Sequence, residues 1–202
     1  MSKKVRIAVL VSGGGTNLRA LIDAQNSGII KSGEIVLVIS SKAGAYALRR
    51  AEAAGIATAV CEKGGRQQSL FEQDILSELK SADAELIILA GFMNILSADF
   101  VKHYPDRIIN VHPSLIPSFC GSGFYGLRVH KAALEYGVKV TGATVHFVNE
   151  IPDGGRIIMQ KAVDVDPDDT PETLQKRVME NAEWIILPAA AEAVCKEIGE
   201  NK

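Results

Sequence analysis

Short apolar runs alternate with segments of helical periodicity through the first half of the chain, and this alternation limits the fold more than any other feature. Residues 5–11 (VRIAVLV), 34–40 (EIVLVIS), 58–61 (TAVC) and 86–90 (LIILA) read as strands. Residues 17–25, 45–54 and 69–80 read as the helices between them; the first puts Leu18, Leu21 and Ile22 on one face, and Gly55 closes the second. A near-continuous apolar strand such as LIILA belongs in a parallel sheet covered on both faces. The expected class is α/β: a doubly wound, mostly parallel open sheet with helices on both faces and a Rossmann-like amino-terminal half. Ligands of such sheets bind beyond the carboxyl ends of the strands.

The second half changes character. Residues 107–111 form a strand ending at His112-Pro113, followed by a Gly-, Ser- and aromatic-rich loop over 118–126. Two long strands, 138–148 and 156–165, are joined through a turn at 149–155. Residues 170–198 read as helical, with Pro171 in the first turn and Pro188 marking a kink or break. No repeat, low-complexity stretch or flexible linker interrupts the pattern, so residues 1–202 are expected to form a single domain.

Composition narrows the class. Apolar residues make up 47% and charged residues 23%, with a formal net charge of −2, which offers no general attraction for nucleic acid or anionic membrane. The opening apolar stretch runs straight into glycines, unlike a signal peptide, and no run approaches the ~20 residues that span a bilayer. Cys61, Cys120 and Cys195 lack metal-ligand spacing. A cytoplasmic protein without a metal is expected.

Two features carry chemistry. Ser12-Gly13-Gly14-Gly15-Thr16-Asn17 joins the first strand to the first helix, where glycine amides and a helix amino terminus favour an anion. Thr16 and Asn17 can cap the helix or donate to a phosphate oxygen. No Lys follows the last glycine as in an ATP-binding loop, and Leu18 stands where a dinucleotide fingerprint needs glycine. A small phosphate monoester fits better; a plain tight turn with a capped helix fits equally well. The second feature is Asn110 and His112, two apart at the carboxyl end of a strand, with Asp153 in an Asp-Gly-Gly turn able to reach the same mouth. Attack of an amine on a formyl carbon develops negative oxygen and positive nitrogen. Asn110 and His112 can donate to that oxygen, and Asp153 can hold His112 charged or carry the amine proton to the departing nitrogen. The alternative is a structural histidine before proline and an ordinary turn. His103 and His146 read as structural, while His130 opens a helix near the aromatic loop.

The segments SGGGTN (12–17), LAGFMNIL (89–96), NVHPSLIP (110–117) and HFVNEIPDGG (146–155) stand in an order and spacing that resembles the glycinamide ribonucleotide formyltransferases of purine synthesis, across essentially the whole chain. The resemblance implies 10-formyltetrahydrofolate as donor, 5-phosphoribosylglycinamide as acceptor, no metal, and a monomer or homodimer. It implies Asn110, His112 and Asp153 as the catalytic trio, with His112 the general acid. Gly14, Gly15, Thr16 and Asn17 match the phosphate turn; Pro113 and Glu183 match further ribonucleotide contacts. Met93, Asn94, Ile95 and Leu96 match the segment holding the pterin. Asn149, Glu150, Ile151, Pro152 and Asp153 match the loop over its other side, and Arg66 is the basic residue nearest a folate contact ahead of the third helix. A nucleotide-phosphate half of about residues 1–100 and a folate and catalytic half of about 101–202 follow. Many relatives carry Arg where Asn94 stands, and the 120–126 stretch is longer than in some. A methionyl-tRNA formyltransferase would carry a further domain and a basic surface; a formyltetrahydrofolate deformylase would have no use for the phosphate turn. A non-catalytic nucleotide-binding module would leave Asn110, His112 and Asp153 as coincidence.

Overall fold

The computed structural model describes residues 3–201. Seven strands join one sheet: β1 (Val5–Val11), β2 (Gly33–Ser40), β3 (Ala57–Val60), β4 (Leu86–Leu89), β5 (Ile108–His112), β6 (Val140–Phe147) and β7 (Ile157–Asp164). Their spatial order is β3-β2-β1-β4-β5-β6-β7. The pairs among β1 to β5 are parallel, whereas β6 runs antiparallel to both β5 and β7. The mostly parallel open sheet expected from the sequence is therefore present.

The helices are α1 (Thr16–Asn26), α2 (Tyr46–Ala53), α3 (Gln68–Ser81), α4 (Ala98–Lys102), α5 (Leu127–Tyr136), α6 (Pro171–Val178) and α7 (Trp184–Glu200). Strand periodicity sorts them to two faces. Ile7, Val9 and Val11 pack on one side with Leu18, Leu21, Ala47, Leu174 and Leu187. Ala8 and Leu10 point the other way, onto Phe71, Ile75, Leu79 and Phe100. No helix among the described residues is long and apolar enough to cross a membrane.

Of the kink or break expected at Pro188, the break is absent. Helix α7 continues through Pro188, and the irregularity falls earlier, in a π-helical turn over Met179–Glu183. Proline removes the N–H that would bond the Trp184 carbonyl, and the wide turn directly before Trp184 is where the helix departs from regular geometry. The helix expected to open at His130 begins earlier, at Leu127.

This topology fixes where a ligand can sit. After β1 the chain moves outward to β2 and β3, then returns to β4 on the other side of β1, so the carboxyl ends of β1 and β4 border a topological switch point. There Ser12 Oγ accepts the Met93 N–H at 2.9 Å and lies 2.6 Å from Ser41 Oγ.

Candidate active site

The glycine turn is shaped by its neighbours. Gly15 has φ of 72°, and a Cβ there would come within 2.7 Å of Ala47 Cβ on α2, so both backbone and packing demand glycine. Gly13 and Gly14 face open space. The side-chain cap expected of Thr16 or Asn17 is not formed: Gly15 is the N-cap and no side chain bonds the first-turn amides. Thr16 Oγ1 instead meets Met179 Sδ at 3.8 Å, and Asn17 Nδ2 donates to Glu183 Oε2 at 2.7 Å. The amino terminus of α1 thus keeps donors for an anion.

Glu183 sits in the π-helical turn, buried, and burial pushes its carboxyl from 4.5 up to about 6 against the stabilising Asn17 bond. The π-turn carries residue 183 to the α1 terminus from the far end of the chain, joining it to the glycine turn. Because the folded state holds this proton more tightly, Glu183 makes stability fall as pH rises from 4.5 to about 6, by about 2 kcal/mol. Urea unfolding across that window should show the loss in the unmodified chain and its absence in Glu183→Gln. A pH-independent difference between the two would contradict the described burial.

Asn110, His112 and Asp153 come together at the carboxyl end of β5. The antiparallel β5–β6 register sets Asn110 opposite His146 and His112 opposite Thr144, so these side chains share one face. Asp153 Oδ2 lies 3.4 Å from His112 Nδ1 and accepts the Gly121 N–H at 2.8 Å. Asp153 itself has φ of 57°, in the left-handed region. Two residues on, a Cβ at Gly155 would strike the Phe147 carbonyl at 1.7 Å, so the turn is pressed against the end of β6.

His146, read as structural from the sequence, belongs to this cluster. Its Nε2 is 3.2 Å from Asn110 Nδ2 and 3.5 Å from Asp153 Oδ1, and its Nδ1 is 2.8 Å from the Phe147 carbonyl. With Nδ1–H donated to that carbonyl, a neutral ring accepts from the Asn110 amide and fixes which way that amide turns. Alternation along β6 gives the side His146 faces only once the β5 pairing is known. Thr144 is a second residue the sequence did not single out: its hydroxyl donates to Ser114 O at 2.7 Å and accepts the Ile116 N–H at 3.1 Å, anchoring the chain after His112. Pro113 lies half-buried in that stretch.

Charge states depart from one expectation. Burial lowers the His112 pKa, outweighing the attraction of Asp153 and the bond between Nε2 and the Phe119 carbonyl, 2.9 Å away. Asp153 therefore does not hold His112 charged in the free protein; desolvation wins because the ring is only 4% exposed. For Asp153, burial pushes the carboxyl up, but the neighbouring His146 and His112 rings and the Gly121 N–H together hold it below the ordinary carboxylate range. His130 lies within α5, buried, with both ring nitrogens unpartnered; burial and then His112 push it down to about 4, leaving it neutral.

Two loops flank the cluster. Met93, Ile95 and Ile151 expose 52%, 67% and 59% of their surface; Leu96 is buried and Asn94 half-buried. In the second loop Glu150 and Pro152 are exposed, and Asn149 bonds the Ile151 N–H at 2.9 Å. Arg66 is bound elsewhere, in an exposed ion pair with Asp74 at 2.7 Å. The group at the start of α3 that reaches the 93–96 segment is Gln68, whose Nε2 donates to the Ile95 carbonyl at 3.0 Å. Size does not mark the site: a cleft of about 730 Å³, lined by Arg6, Lys80, Glu85 and Tyr104, opens at the opposite end of the strands. No group of three or more His, Cys, Asp or Glu able to hold a metal occurs among the described residues.

A family model described as formyl transferase matches residues 5–190. The chain is 48% identical over 203 residues to the trifunctional purine biosynthetic protein adenosine-3 of Gallus gallus, covering 98% of this chain but only 20% of that protein, so it spans about a fifth of the longer relative. It is 42% identical to the phosphoribosylglycinamide formyltransferase of Haemophilus influenzae, covering 91% of this chain and 84% of the relative. The glycinamide ribonucleotide transformylase 1 of Symbiobacterium toebii superimposes with a TM-score of 0.89 at 38% identity, over 96% of this chain and 89% of the other.

Proposed function

Because the chain belongs to the formyl transferase family, we propose that it moves the formyl group of 10-formyltetrahydrofolate onto the amine of 5-phosphoribosylglycinamide, a step of purine biosynthesis. One observation carries this reading: an amide and an imidazole from β5 and a carboxylate from the distant 149–155 turn meet at one strand end, on the same edge of the sheet as a glycine turn with open donors. The donor fits the flanking loops, where Met93, Ile95 and Ile151 offer apolar surface to a flat heteroaromatic ring. The segment Met93–Asn94–Ile95–Leu96 receives one side of that ring and the loop Asn149 to Asp153 the other. Gly14, Gly15, Thr16 and Asn17 take the acceptor's phosphate, and Glu183 and Pro113 contact the rest of the ribonucleotide.

The chemistry follows from these groups. The acceptor amine forms a bond to the formyl carbon, whose oxygen becomes negative while the nitrogen becomes positive. Asn110 donates an amide N–H to that oxygen. His112 donates its ring N–H, which requires the Phe119 carbonyl to yield its place at Nε2. The growing negative charge restores basicity that burial takes from His112 in the free protein. Asp153 accepts the surplus amine proton and returns it to the folate nitrogen as the carbon–nitrogen bond breaks, so no proton is gained or lost overall.

The test mixes purified protein with 10-formyltetrahydrofolate, with and without 5-phosphoribosylglycinamide, and follows folate absorbance. Turnover is expected only with the amine present. Turnover at the same rate without it would make water the acceptor and overturn the proposal, since the glycine turn then has no role.

A further inference from the structure

Glu72 is a buried carboxylate that formyl transfer does not use. It lies on α3, 5% exposed, and two of its bonds run to Ser97 in the loop that follows β4. Oε1 accepts the Ser97 backbone N–H and the Gln68 amide, each at 2.6 Å, and Oε2 accepts the Ser97 hydroxyl at 2.5 Å. The same Gln68 amide donates to the Ile95 carbonyl at 3.0 Å. One carboxylate thereby fixes the chain on both sides of Leu96, directly at Ser97 and through Gln68 at Ile95. On the other flank the Met93 N–H is held by Ser12 Oγ at 2.9 Å.

A carboxylate buried among neutral donors loses hydration that an apolar side chain would never need to give up. An apolar residue would pack α3 against the sheet equally well, but it could not orient the backbone of residues 95 to 97. We propose that Glu72, acting with Gln68, is a positioning residue for the formyl donor: it holds the 93–97 backbone, with Met93 and Ile95 turned outward, in the shape that receives the pterin ring. This rests on the reading of that segment as the folate side of the site. Preorganised backbone matters there because a loop that must be ordered on binding loses affinity for that ligand alone.

Steady-state kinetics of the Glu72→Gln and Gln68→Ala variants of this chain test the idea. Glu72→Gln presents an NH2 where donors converge and is expected to raise the KM for 10-formyltetrahydrofolate roughly tenfold. Gln68→Ala, which leaves the carboxylate in place, should raise it about threefold, while kcat at saturation and the KM for 5-phosphoribosylglycinamide stay within about twofold in both. Glu72→Asp should recover part of the loss. A purely structural role would lower Tm without favouring one substrate. Equal effects on both KM values, or a folded Glu72→Gln protein with unchanged folate KM, would overturn the proposal. Should Glu72→Gln not fold, Gln68→Ala decides, because its half-buried amide lies outside the core. Failure of the unmodified chain to transfer formyl at all would instead count against the activity.

Discussion

Asp153→Asn is expected to lower kcat for formyl transfer by at least about a hundredfold while leaving the Kd for 5-phosphoribosylglycinamide within about threefold. The substitution is nearly isosteric, and Asn tolerates the left-handed backbone that Asp153 adopts at φ of 57°. The turn and the contact from the Gly121 N–H can therefore persist, and only the charge is removed. Two effects then combine. The amine proton loses its acceptor, and His112 loses the one anion that opposes its desolvation. With that attraction gone the imidazole pKa falls further, so the limb of the pH–rate profile on which His112 loses its proton should move to lower pH in whatever activity remains. Ribonucleotide binding is spared because the glycine turn and Glu183 make no contact with Asp153. Unchanged turnover in a folded Asp153→Asn protein would remove the carboxylate from the mechanism.

Asn110→Ala should cost a similar factor, about a hundredfold in kcat, the typical loss of ~3 kcal/mol for one donor to a developing oxyanion. Asn110 lies on β5, paired with β4 on one side and β6 on the other, so its position is rigid. Its amide is oriented by His146 Nε2 at 3.2 Å, which leaves a second N–H for substrate. Because both substitutions act on one reacting centre, the double variant should lose much less than the product of the single losses. The measurement is kcat for the two singles and the double. Strict multiplicativity would mean that the groups work independently, against a shared centre.

Much of this site was legible before the fold. Asn110 and His112 stand two apart in an apolar strand, and strand period alone puts them on one side. The glycine turn stands out because three glycines lie between a strand and a helix. His146 escaped notice because an isolated histidine among apolar neighbours looks like core, and its partnership with Asn110 exists only through the β5–β6 register. Arg66 stands out by charge; it forms an exposed ion pair with Asp74 on α3, while the uncharged Gln68 makes the backbone contact to Ile95. The proline at 188 looked like a break, but a helix can absorb one missing N–H beside a wide turn, and nothing local says so.

The sequence by itself determined the strands and helices, the parallel half of the sheet and the edge on which the candidate site lies. Those depend on periodicity, turn residues and apolar runs, whose energies act over a few neighbours along the chain. Only the tertiary structure decided the charge state of His112, the recruitment of His146, the joining of Glu183 to Asn17 across 166 residues and the anchoring of the 93–97 loop by Glu72. Each of these depends on desolvation or on a hydrogen bond between distant segments. Such terms have no magnitude until packing has set the distances and removed the water.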